Sequence, residues 1–372
     1  DVPCFDIAIV ARDEARTLPT LFASLDPVTR AGGVVHLVDT GSDDETAAVA
    51  REAGCVVQQV GDRFTTRLSS GDAARIDDCF AAPGEAPLVE PGQRLFHFAR
   101  ARDWAGTRGR CPFVLQLDAS DEVLSMDLGA IDRRVDEGAA GAFGFRMRLG
   151  DHAFTAVRFY DRRWYRWVGQ THEGLYPVLA ADASFIPPRT DLPPPMLSVV
   201  HHRQAKTRHY LAGLALDALD RPEMPRWQFY LGRELSYEGR YRSAVAVLAA
   251  HAARTDASNA ERSQSLCCMA DCLERLGDLD GALDAPLLRL AAILSARGEF
   301  AAAADAATRA LAIAGPGRAA EPIAHYTWYP HALLYWSLFW DGRREHARDH
   351  WRRFAAQAPP AAIDPAHARL FA

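Results

Sequence analysis

Two hydrophobic runs that end in acidic residues constrain this chain more than any other feature. They are VVHLVDTGSDDET at residues 34–46 and VLQLDASDEVL at residues 114–124. The apolar part of each run is typical of a buried β-strand. Because an open α/β sheet binds its ligands outside the carboxyl ends of its strands, the two runs predict a polar pocket for a nucleotide and a metal.

Strand-like and helix-like segments alternate through the first half of the chain. Strands are predicted at residues 6–11, 34–38 and 55–60, and helices at residues 14–25 and 46–53. This alternation indicates βαβ units and a mostly parallel, Rossmann-like sheet. Residues 1–204 are therefore predicted to form an α/β domain. Within it, the polar segment 61–96 is interpreted as an insertion or a lid.

From residue 205 onward the pattern is helical, and a Gly-x4-Ala spacing recurs. The four examples are Gly239 with Ala244, Gly277 with Ala282, Gly298 with Ala303, and Gly342 with Ala347. In each, a glycine follows a predicted helix and a small residue lies in the next helix, where it permits close packing. Residues 205–372 therefore resemble tetratricopeptide repeats. A generic helical bundle is the alternative.

Length, charge and cysteine content set broad limits. A chain of 372 residues is too long for one ordinary core, which favours two domains. A net charge of −6 gives no global basic field for nucleic acid or membrane, although the arginines of segment 158–166 leave nucleic acid open. No run reaches the roughly 18–20 apolar residues of a membrane span. The scattered cysteines favour a reducing cytoplasm. A removed N-terminal segment stays open, because the sequence begins at Asp1.

Six sequence blocks, taken in order, resemble a family-2 glycosyltransferase of the GT-A fold that carries a C-terminal tetratricopeptide region. The blocks are IVARDEARTLP at 9–19, LVDTGSDDET at 37–46, FARARDWA at 98–105, LQLDASDEVL at 115–124, VRFYDRRWYRWVGQTHEGL at 157–175 and VVHHR at 199–203. The resemblance implies a nucleotide-diphospho-sugar transferase domain followed by an all-α repeat domain. It also implies a nucleotide-sugar donor, with a UDP-sugar favoured.

Four residues are predicted to bind the donor nucleotide. Asp39 ends the second strand, where its carboxylate can accept the imide N–H of a uracil-like base; capping of the following turn is the alternative. Arg12 and Glu14 follow the first strand, near the same edge of the pocket. Arg102 aligns with an arginine of the family, and its planar guanidinium suits phosphate. A surface salt bridge is the alternative role for Arg102.

Asp118 and the residues after it resemble the family's metal-binding Asp-x-Asp, with one departure. The order here is Asp118-Ala-Ser-Asp121, so Ser120 stands where the second aspartate belongs. Asp118 and Asp121 are the favoured ligands for Mn²⁺ or Mg²⁺. Ser120 with water, or a metal-independent or inactive site, is the alternative. The resemblance implies that a late histidine completes the metal shell, so one of His201 and His202 is expected to be a third ligand and the other structural. We choose His202 as the candidate.

The segment around residue 170 resembles the family's acceptor side. Glu173 is the first candidate for the base that takes the acceptor proton, and His172 is the second. A His–Glu pair that only orients the segment is the alternative. Trp167 is predicted to stack on the sugar or the base of the donor, and a place in the core is its alternative.

Together these features predict a metal-dependent, inverting glycosyltransferase of the hexosyltransferase class. The helical region would bind a protein or peptide acceptor or form a homodimer, because repeat grooves suit extended peptides. A glycan or a modified nucleic-acid base is an alternative acceptor. A degenerate GT-A domain that serves a repeat-based binding module is the alternative of a different class.

Overall fold

The computed structural model describes residues 2–178, 188–202, 210–277, 287–311 and 328–371. The chain divides into two compact units, one formed by Asp1–Ile76 with Val89–Asp220 and the other by Asp77–Leu88 with Arg221–Ala372. The predicted domain boundary after residue 204 falls in segment 203–209, outside the described residues. That boundary therefore stays a prediction.

The first unit is built on a large mixed sheet with helices beside it. Its strands are β1 (Phe5–Ala11), β2 (Val35–Asp39), β3 (Val56–Gln59), β4 (Thr65–Arg67), β5 (Arg94–Phe96), β6 (Phe113–Asp118), β7 (Asp121–Met126), β8 (Ala142–Leu149), β9 (His152–Asp161), β10 (Tyr165–Val168), β11 (Gly174–Pro177), β12 (Arg189–Asp191) and β13 (Leu197–His201). The helices up to residue 220 are α1 (Leu18–Ser24), α2 (Asp26–Arg30), α3 (Thr46–Glu52), α4 (Ser70–Phe80), α5 (Phe98–Gly106), α6 (Leu128–Asp136) and α7 (Leu211–Asp220).

Nine of the described strands form one sheet in the order β3-β2-β1-β6-β9-β8-β13-β7, with β12 beside β8. Strands β3, β2, β1 and β6 run parallel, whereas β9 is antiparallel to both β6 and β8. The predicted α/β class with a mostly parallel sheet is therefore confirmed.

The register of the parallel strands brings the two acidic strand ends together. Asp39 pairs with Ala11 on one side of β1, and Asp118 pairs with Val10 on the other side. Both acidic residues thus lie at the carboxyl end of β1, where the sequence predicts the pocket.

Apolar layers on both faces of the sheet explain why its central strands are continuously hydrophobic. Successive side chains of a strand point to opposite faces. In β1, Ile7 and Ile9 pack in a core with Leu21 of α1, whereas Ala8 packs in a second core with Ala101 of α5. These helices hold the carboxyl ends of β1, β2 and β6 in place.

Segment 61–96 carries regular structure. It contains a 3₁₀ turn at Gly61–Phe64 and an antiparallel pair formed by β4 and β5. The helix α4 lies between these two strands. Residues 77–88 belong to the second unit, in which the Glu85 carboxylate accepts hydrogen bonds from the Ser243 hydroxyl and the Arg242 N–H. The interpretation of this segment as an insertion or a lid stays a prediction.

The second unit is helical in the residues described, which confirms the predicted change in fold class. Its helices are α8 (Pro225–Tyr237), α9 (Tyr241–Ala252), α10 (Asn259–Leu276), α11 (Leu287–Ala296), α12 (Phe300–Leu311), α13 (Tyr329–Trp340), α14 (Arg344–Gln357) and α15 (Pro365–Phe371). Consecutive helices pack against each other from α8 to α10, and again from α11 to α14. None of the described helices is both long and apolar enough to cross a membrane.

The Gly-x4-Ala units have the predicted geometry wherever they are described. Each glycine follows a helix and adopts a positive φ, and each alanine is buried in the next helix: Gly239 with Ala244, Gly298 with Ala303, and Gly342 with Ala347. Gly277 also has a positive φ, whereas Ala282 lies outside the described residues. The tetratricopeptide assignment itself stays a prediction.

Gly232 brings α8 close to α9, and we expect it to reject even a methyl group. A Cβ there would lie 2.6 Å from two side-chain carbons of the buried Leu248. Gly232→Ala should therefore destabilise the protein by about 1–3 kcal/mol, although alanine usually favours a helix. Thermal unfolding measures this, with Gly129→Ala in α6, where a Cβ has more room, as the control. A Gly232→Ala variant as stable as the wild type would contradict the close approach.

Asp103 of α5 gives a pH-dependent test of how α5 holds β10. Its Oδ1 accepts the Trp167 N–H at 2.9 Å. Burial raises the pKa of Asp103 to about 6, and the Trp167 N–H and Arg166 offset part of the shift. The pKa of Asp103 is therefore higher in the folded protein than in the unfolded chain. The protonated carboxyl stabilises the fold fully below the ordinary pKa of 3.8, and this contribution is lost as the pH rises to about 6.

Asp103→Asn keeps an acceptor for the Trp167 N–H and removes the ionisation. We expect it to raise the unfolding temperature at about pH 7.5 and to change it little below about pH 3, where the aspartate is protonated in both the folded and the unfolded state. Equal effects at the two pH values would show that ionisation of Asp103 does not destabilise the folded protein.

Candidate functional site

A cavity of about 550 Å³ lies at the carboxyl end of the parallel strands. Its wall at the end of β1 runs from Val10 to Glu14, and Asp118, Ala119 and Ser120 after β6 form the adjoining wall. The cavity also borders Arg102 of α5 and His201 of β13. Polar side chains that follow β1 and β6 therefore line one cavity together with the buried Arg102.

Asp118, Asp121 and His201 form a cluster that has the chemistry of a metal site. One ligand atom from each residue lies within 4.8 Å of the others. The Nδ1 of His201 is 2.7 Å from Asp121 Oδ1 and 4.0 Å from Asp118 Oδ2. The Oδ2 of Asp121 also accepts the Asp118 N–H at 2.8 Å, which holds the short turn between β6 and β7. Carboxylate oxygens and an imidazole nitrogen suit Mn²⁺ or Mg²⁺.

His202, the third ligand predicted from the sequence, lies outside this cluster. Its Nε2 is 2.7 Å from Glu122 Oε2, and its side chain is 52% exposed. His201 is paired across β13 and β7 with Asp121, so its ring enters the cluster, and the next side chain along the strand points elsewhere. The geometry therefore favours His201 over His202 as the third candidate ligand. Arg203, the last residue of the VVHHR block, lies outside the described residues.

Two guanidinium groups hold the Asp118 carboxylate. Arg102 Nη2 donates to Oδ1 at 2.8 Å, and Arg158 Nη1 donates to Oδ2 at 2.7 Å. Burial alone would raise the pKa of Asp118, but the charges of Arg102 and Arg158 outweigh it and hold this pKa well below its usual range. Asp118 is therefore ionised at every pH at which the protein is expected to work.

Arg158 is a site residue that the sequence analysis does not single out. It lies in β9, which is antiparallel to β6, and its Nη1 is also 3.5 Å from Asp121 Oδ2. The signal in the sequence is a charged residue inside the otherwise apolar run AVRFY at 156–160. That signal indicates a partner for the arginine, but the partner is distant in sequence and follows only from the strand order.

Arg102 joins the cluster to the acceptor-side segment. Its Nε donates to Glu173 Oε1 at 2.5 Å, and its guanidinium carbon lies 5.1 Å from the centre of a Trp167 ring. Desolvation lowers the pKa of Arg102, but Asp118 and Glu173 more than compensate and raise it above its ordinary value. The Nη1 of Arg102 is buried and has no hydrogen-bond partner among the residues that the structure describes. The salt bridge considered as the alternative role of Arg102 is present, but it is buried and not on the surface. The binding of phosphate by Arg102 stays a prediction.

Trp167 and Asp39 do not line the cavity and take the places that the alternative interpretations describe. Trp167 is buried in the core, and its indole N–H donates to the Tyr160 hydroxyl at 3.1 Å. Asp39 Oδ1 accepts from the Ser42 N–H at 2.8 Å and from the Ser42 hydroxyl at 2.7 Å, while Oδ2 accepts from Gln59 at 3.2 Å. Asp39 therefore caps the turn after β2, and its role in binding the base stays a prediction.

Arg12 and Glu14 both line the cavity, as the sequence predicts for its edge. Arg12 is partly exposed, and its Nη1 lies 3.7 Å from Asp62 Oδ1. Glu14 is buried, and its Oε2 accepts the Thr17 hydroxyl at 2.6 Å. Arg12 thus provides positive charge at the cavity, whereas Glu14 helps to shape the loop after β1.

The segment that carries the candidate bases is fixed by α7. The buried Asp217 of α7 accepts the Gln170 and Thr171 N–H groups. His172 adopts a left-handed φ of 51°, and its ring centre is 5.4 Å from that of Tyr210, which lines the cavity. Glu173 is nearly buried and faces Arg102. Both candidates are therefore held in fixed positions, Glu173 through Arg102 and His172 beside the wall of the cavity.

Three aromatic side chains, Phe96, Phe98 and Tyr210, also line the cavity. The ring centres of Phe96 and Phe98 are 4.7 Å apart, and those of Phe98 and Tyr210 are 6.1 Å apart. The cavity lining therefore combines carboxylates and guanidinium groups with aromatic rings, which is the usual composition of a small-molecule site.

Comparison with known proteins assigns the chain to no family. No family model matches it, and no curated protein matches it. Among solved structures, S. aureus TarS 1–349 in complex with UDP-GlcNAc is 10% identical over 94% of this chain and 89% of that chain, with a TM-score of 0.35. Mannosyl-3-phosphoglycerate synthase from Rubrobacter xylanophilus is 13% identical over 64% of this chain and 75% of that chain, with a TM-score of 0.33.

A third similar structure is glucosyl-3-phosphoglycerate synthase from Mycobacterium tuberculosis in complex with Mn²⁺, UDP and glucosyl-3-phosphoglycerate. It is 15% identical over 39% of this chain, with a TM-score of 0.24. The chain spans only 42–44% of the length of this synthase and of a further mycobacterial protein. Likeness at these identities and TM-scores assigns neither a family nor an activity.

Proposed function

We propose that the chain is a metal-dependent glycosyltransferase of the GT-A type that uses a nucleotide-sugar, most simply a UDP-sugar. The observation that carries this proposal is the cluster of Asp118, Asp121 and His201 beside a cavity at the ends of parallel strands. A volume of about 550 Å³ lies within the range of small-molecule sites. The six sequence blocks that resemble family-2 glycosyltransferases contribute most of this wall.

The donor set fits a hard divalent ion, because two carboxylates and one imidazole present their atoms within 4.8 Å. Asp118, Asp121 and His201 would hold Mn²⁺ or Mg²⁺, which would supply positive charge for the departing diphosphate. Arg12 adds a guanidinium on the wall of the same cavity, where it can bind a diphosphate oxygen. Arg12 and a bound metal would therefore both favour an anionic leaving group at the part of the cavity near Asp118.

Glu173 is the proposed base, and His172 is the second candidate. An inverting transfer is a single displacement, in which the acceptor oxygen attacks the anomeric carbon and its proton passes to a base. Arg102 holds Glu173 at Nε and Asp118 at Nη2, so one rigid group sets the spacing between the base and the metal end. Because one base and one displacement are sufficient here, we propose that the transfer inverts the configuration of the anomeric carbon.

The helical unit supports a role in binding the acceptor. Its successive helices pack in sequence, and buried alanines follow the turning glycines, as in antiparallel helical repeats. We infer a tetratricopeptide-like region that binds a protein or peptide acceptor or a second copy of the chain. A glycan or a modified nucleic-acid base is the alternative acceptor. The seven cysteines, odd in number and scattered along the chain, support a reducing compartment such as the cytoplasm.

A second function, a binding module without catalysis, is favoured by one specific observation. Both oxygens of Asp118 already accept hydrogen bonds from arginines, and Asp39 caps its own turn. In such a protein the cluster would be a structural ion-pair network. The two functions differ in whether nucleotide and metal stabilise the fold together.

Nucleotide and metal should stabilise the protein in a way that depends on Asp118. With the UDP–Mn²⁺ complex, taken as one ligand, at about 100 times its dissociation constant, we expect about 2.7 kcal/mol of added stability, measured by thermal shift. Asp118→Asn should lose the Mn²⁺-dependent part, because one of the two carboxylates is gone. Asp26→Asn, which removes an exposed carboxylate of α2, is the control. If no nucleotide stabilises the wild type, with or without metal, the proposed function is wrong.

Glu173→Gln should lower turnover while leaving nucleotide binding intact. Loss of a general base typically costs about 10²- to 10⁴-fold, so release of UDP from a UDP-sugar should fall by about that factor. His172→Gln should cost less if Glu173 is the base. Unchanged turnover in Glu173→Gln would exclude that role, and an equal loss of UDP binding would show that the residue only positions Arg102.

A further inference from the structure

The four carboxylate oxygens of Asp118 and Asp121 already have polar partners within the protein. Asp118 Oδ1 accepts from Arg102, and Asp118 Oδ2 accepts from Arg158 Nη1 at 2.7 Å. Asp121 Oδ2 lies 3.5 Å from the same Arg158 nitrogen, while Asp121 Oδ1 is 2.7 Å from His201. A cation that binds the two carboxylates must therefore compete with a hydrogen-bond donor that is present.

The two arginines differ in how firmly they are held. Arg102 is buried between Asp118 and Glu173 and lies over the face of Trp167, with its side chain only 9% exposed. Arg158 is 22% exposed, and among the residues that the structure describes it forms ion pairs only with Asp118 and Asp121. Arg102 cannot leave without stranding Glu173, whereas Arg158 can turn toward solvent. Arg158 is therefore the group that a competing cation would displace.

Electrostatics make the competition strong. A guanidinium and a divalent ion that share one carboxylate oxygen lie within a few ångströms of each other, where like charges repel strongly at the dielectric of a half-buried site. Without an added ion, Arg102 and Arg158 balance two of the three negative charges of Asp118, Asp121 and Glu173. Addition of a divalent ion with Arg158 still in place would make the group net positive.

We propose that Arg158 is the internal counter-cation of the Asp118–Asp121 pair, and that a divalent metal binds by displacing its guanidinium from Asp118 Oδ2. This inference rests on the proposed function. Arg158 thereby sets the metal affinity of the free protein and keeps it low. The released guanidinium is then available to an anionic ligand, so a nucleoside diphosphate should strengthen metal binding more in the wild type than in a variant without this arginine.

The test is the affinity of the whole chain for Mn²⁺ alone, measured from the electron paramagnetic resonance signal of the free ion. Arg158→Met should bind Mn²⁺ at least about tenfold more tightly than the wild type, because the competing charge is absent. Arg158→Lys keeps the charge and should stay within about threefold of the wild type. Arg30→Met, which removes an equal charge from an exposed pair with Asp26, should leave the affinity unchanged. Equal or weaker binding by Arg158→Met overturns the proposal.

A measurement on the wild type keeps the test decisive if Arg158→Met does not fold. The Nε–H signal of Arg158, assigned by its loss in Arg158→Lys, should shift on titration with diamagnetic Mg²⁺, and an unmoved signal at saturation overturns the proposal. UDP binding without metal is measured in parallel. If UDP binds but no variant takes up Mn²⁺, the counter-cation proposal fails alone. If UDP binds to none of these proteins under any condition, the proposed function fails as well.

Discussion

The buried guanidinium of Arg102 is the interaction on which the rest of the site depends. It joins Asp118, at the end of β6, to Glu173, in the segment after β10, and it lies over the face of Trp167. Loss of such a group would leave two partly buried carboxylates short of a partner, which typically costs several kcal/mol. A rigid α5 is therefore as necessary to the site as the acidic residues themselves, and this explains why its small residues Ala101 and Ala105 are buried against the sheet.

The order of the parallel strands supplies the second constraint. Because β2 and β6 flank β1, their acidic ends must meet at one edge of the sheet, and the loop after β1 closes the space between them. The strands that follow β6 in the sheet bring in the remaining groups: β9 carries Arg158, and β13 carries His201 beside Asp121. Residues distant in sequence are thus brought together by backbone pairing.

Much of this architecture could be predicted from the sequence, and the missing parts have physical reasons. Local periodicity is sufficient for the βαβ pattern, for the helical region and for Asp118 at the end of its strand. It does not decide between His201 and His202, because adjacent residues of a strand face opposite sides and β13 contains a register shift after Ser198. It does not reveal the pairing of Arg158 with Asp118, and it leaves open whether Asp39 faces a ligand or its own turn.

The most direct test of the account is the position of the metal itself. A crystal soaked with UDP and Mn²⁺ and measured at the manganese absorption edge should show an anomalous peak coordinated by Asp118, Asp121 and His201. The side chain of His202 should remain beside Glu122, and the Arg158 guanidinium should have left Asp118. A peak elsewhere in the chain, or none at this cluster while UDP fills the cavity, would contradict the assignment of these residues as the metal end of a donor site.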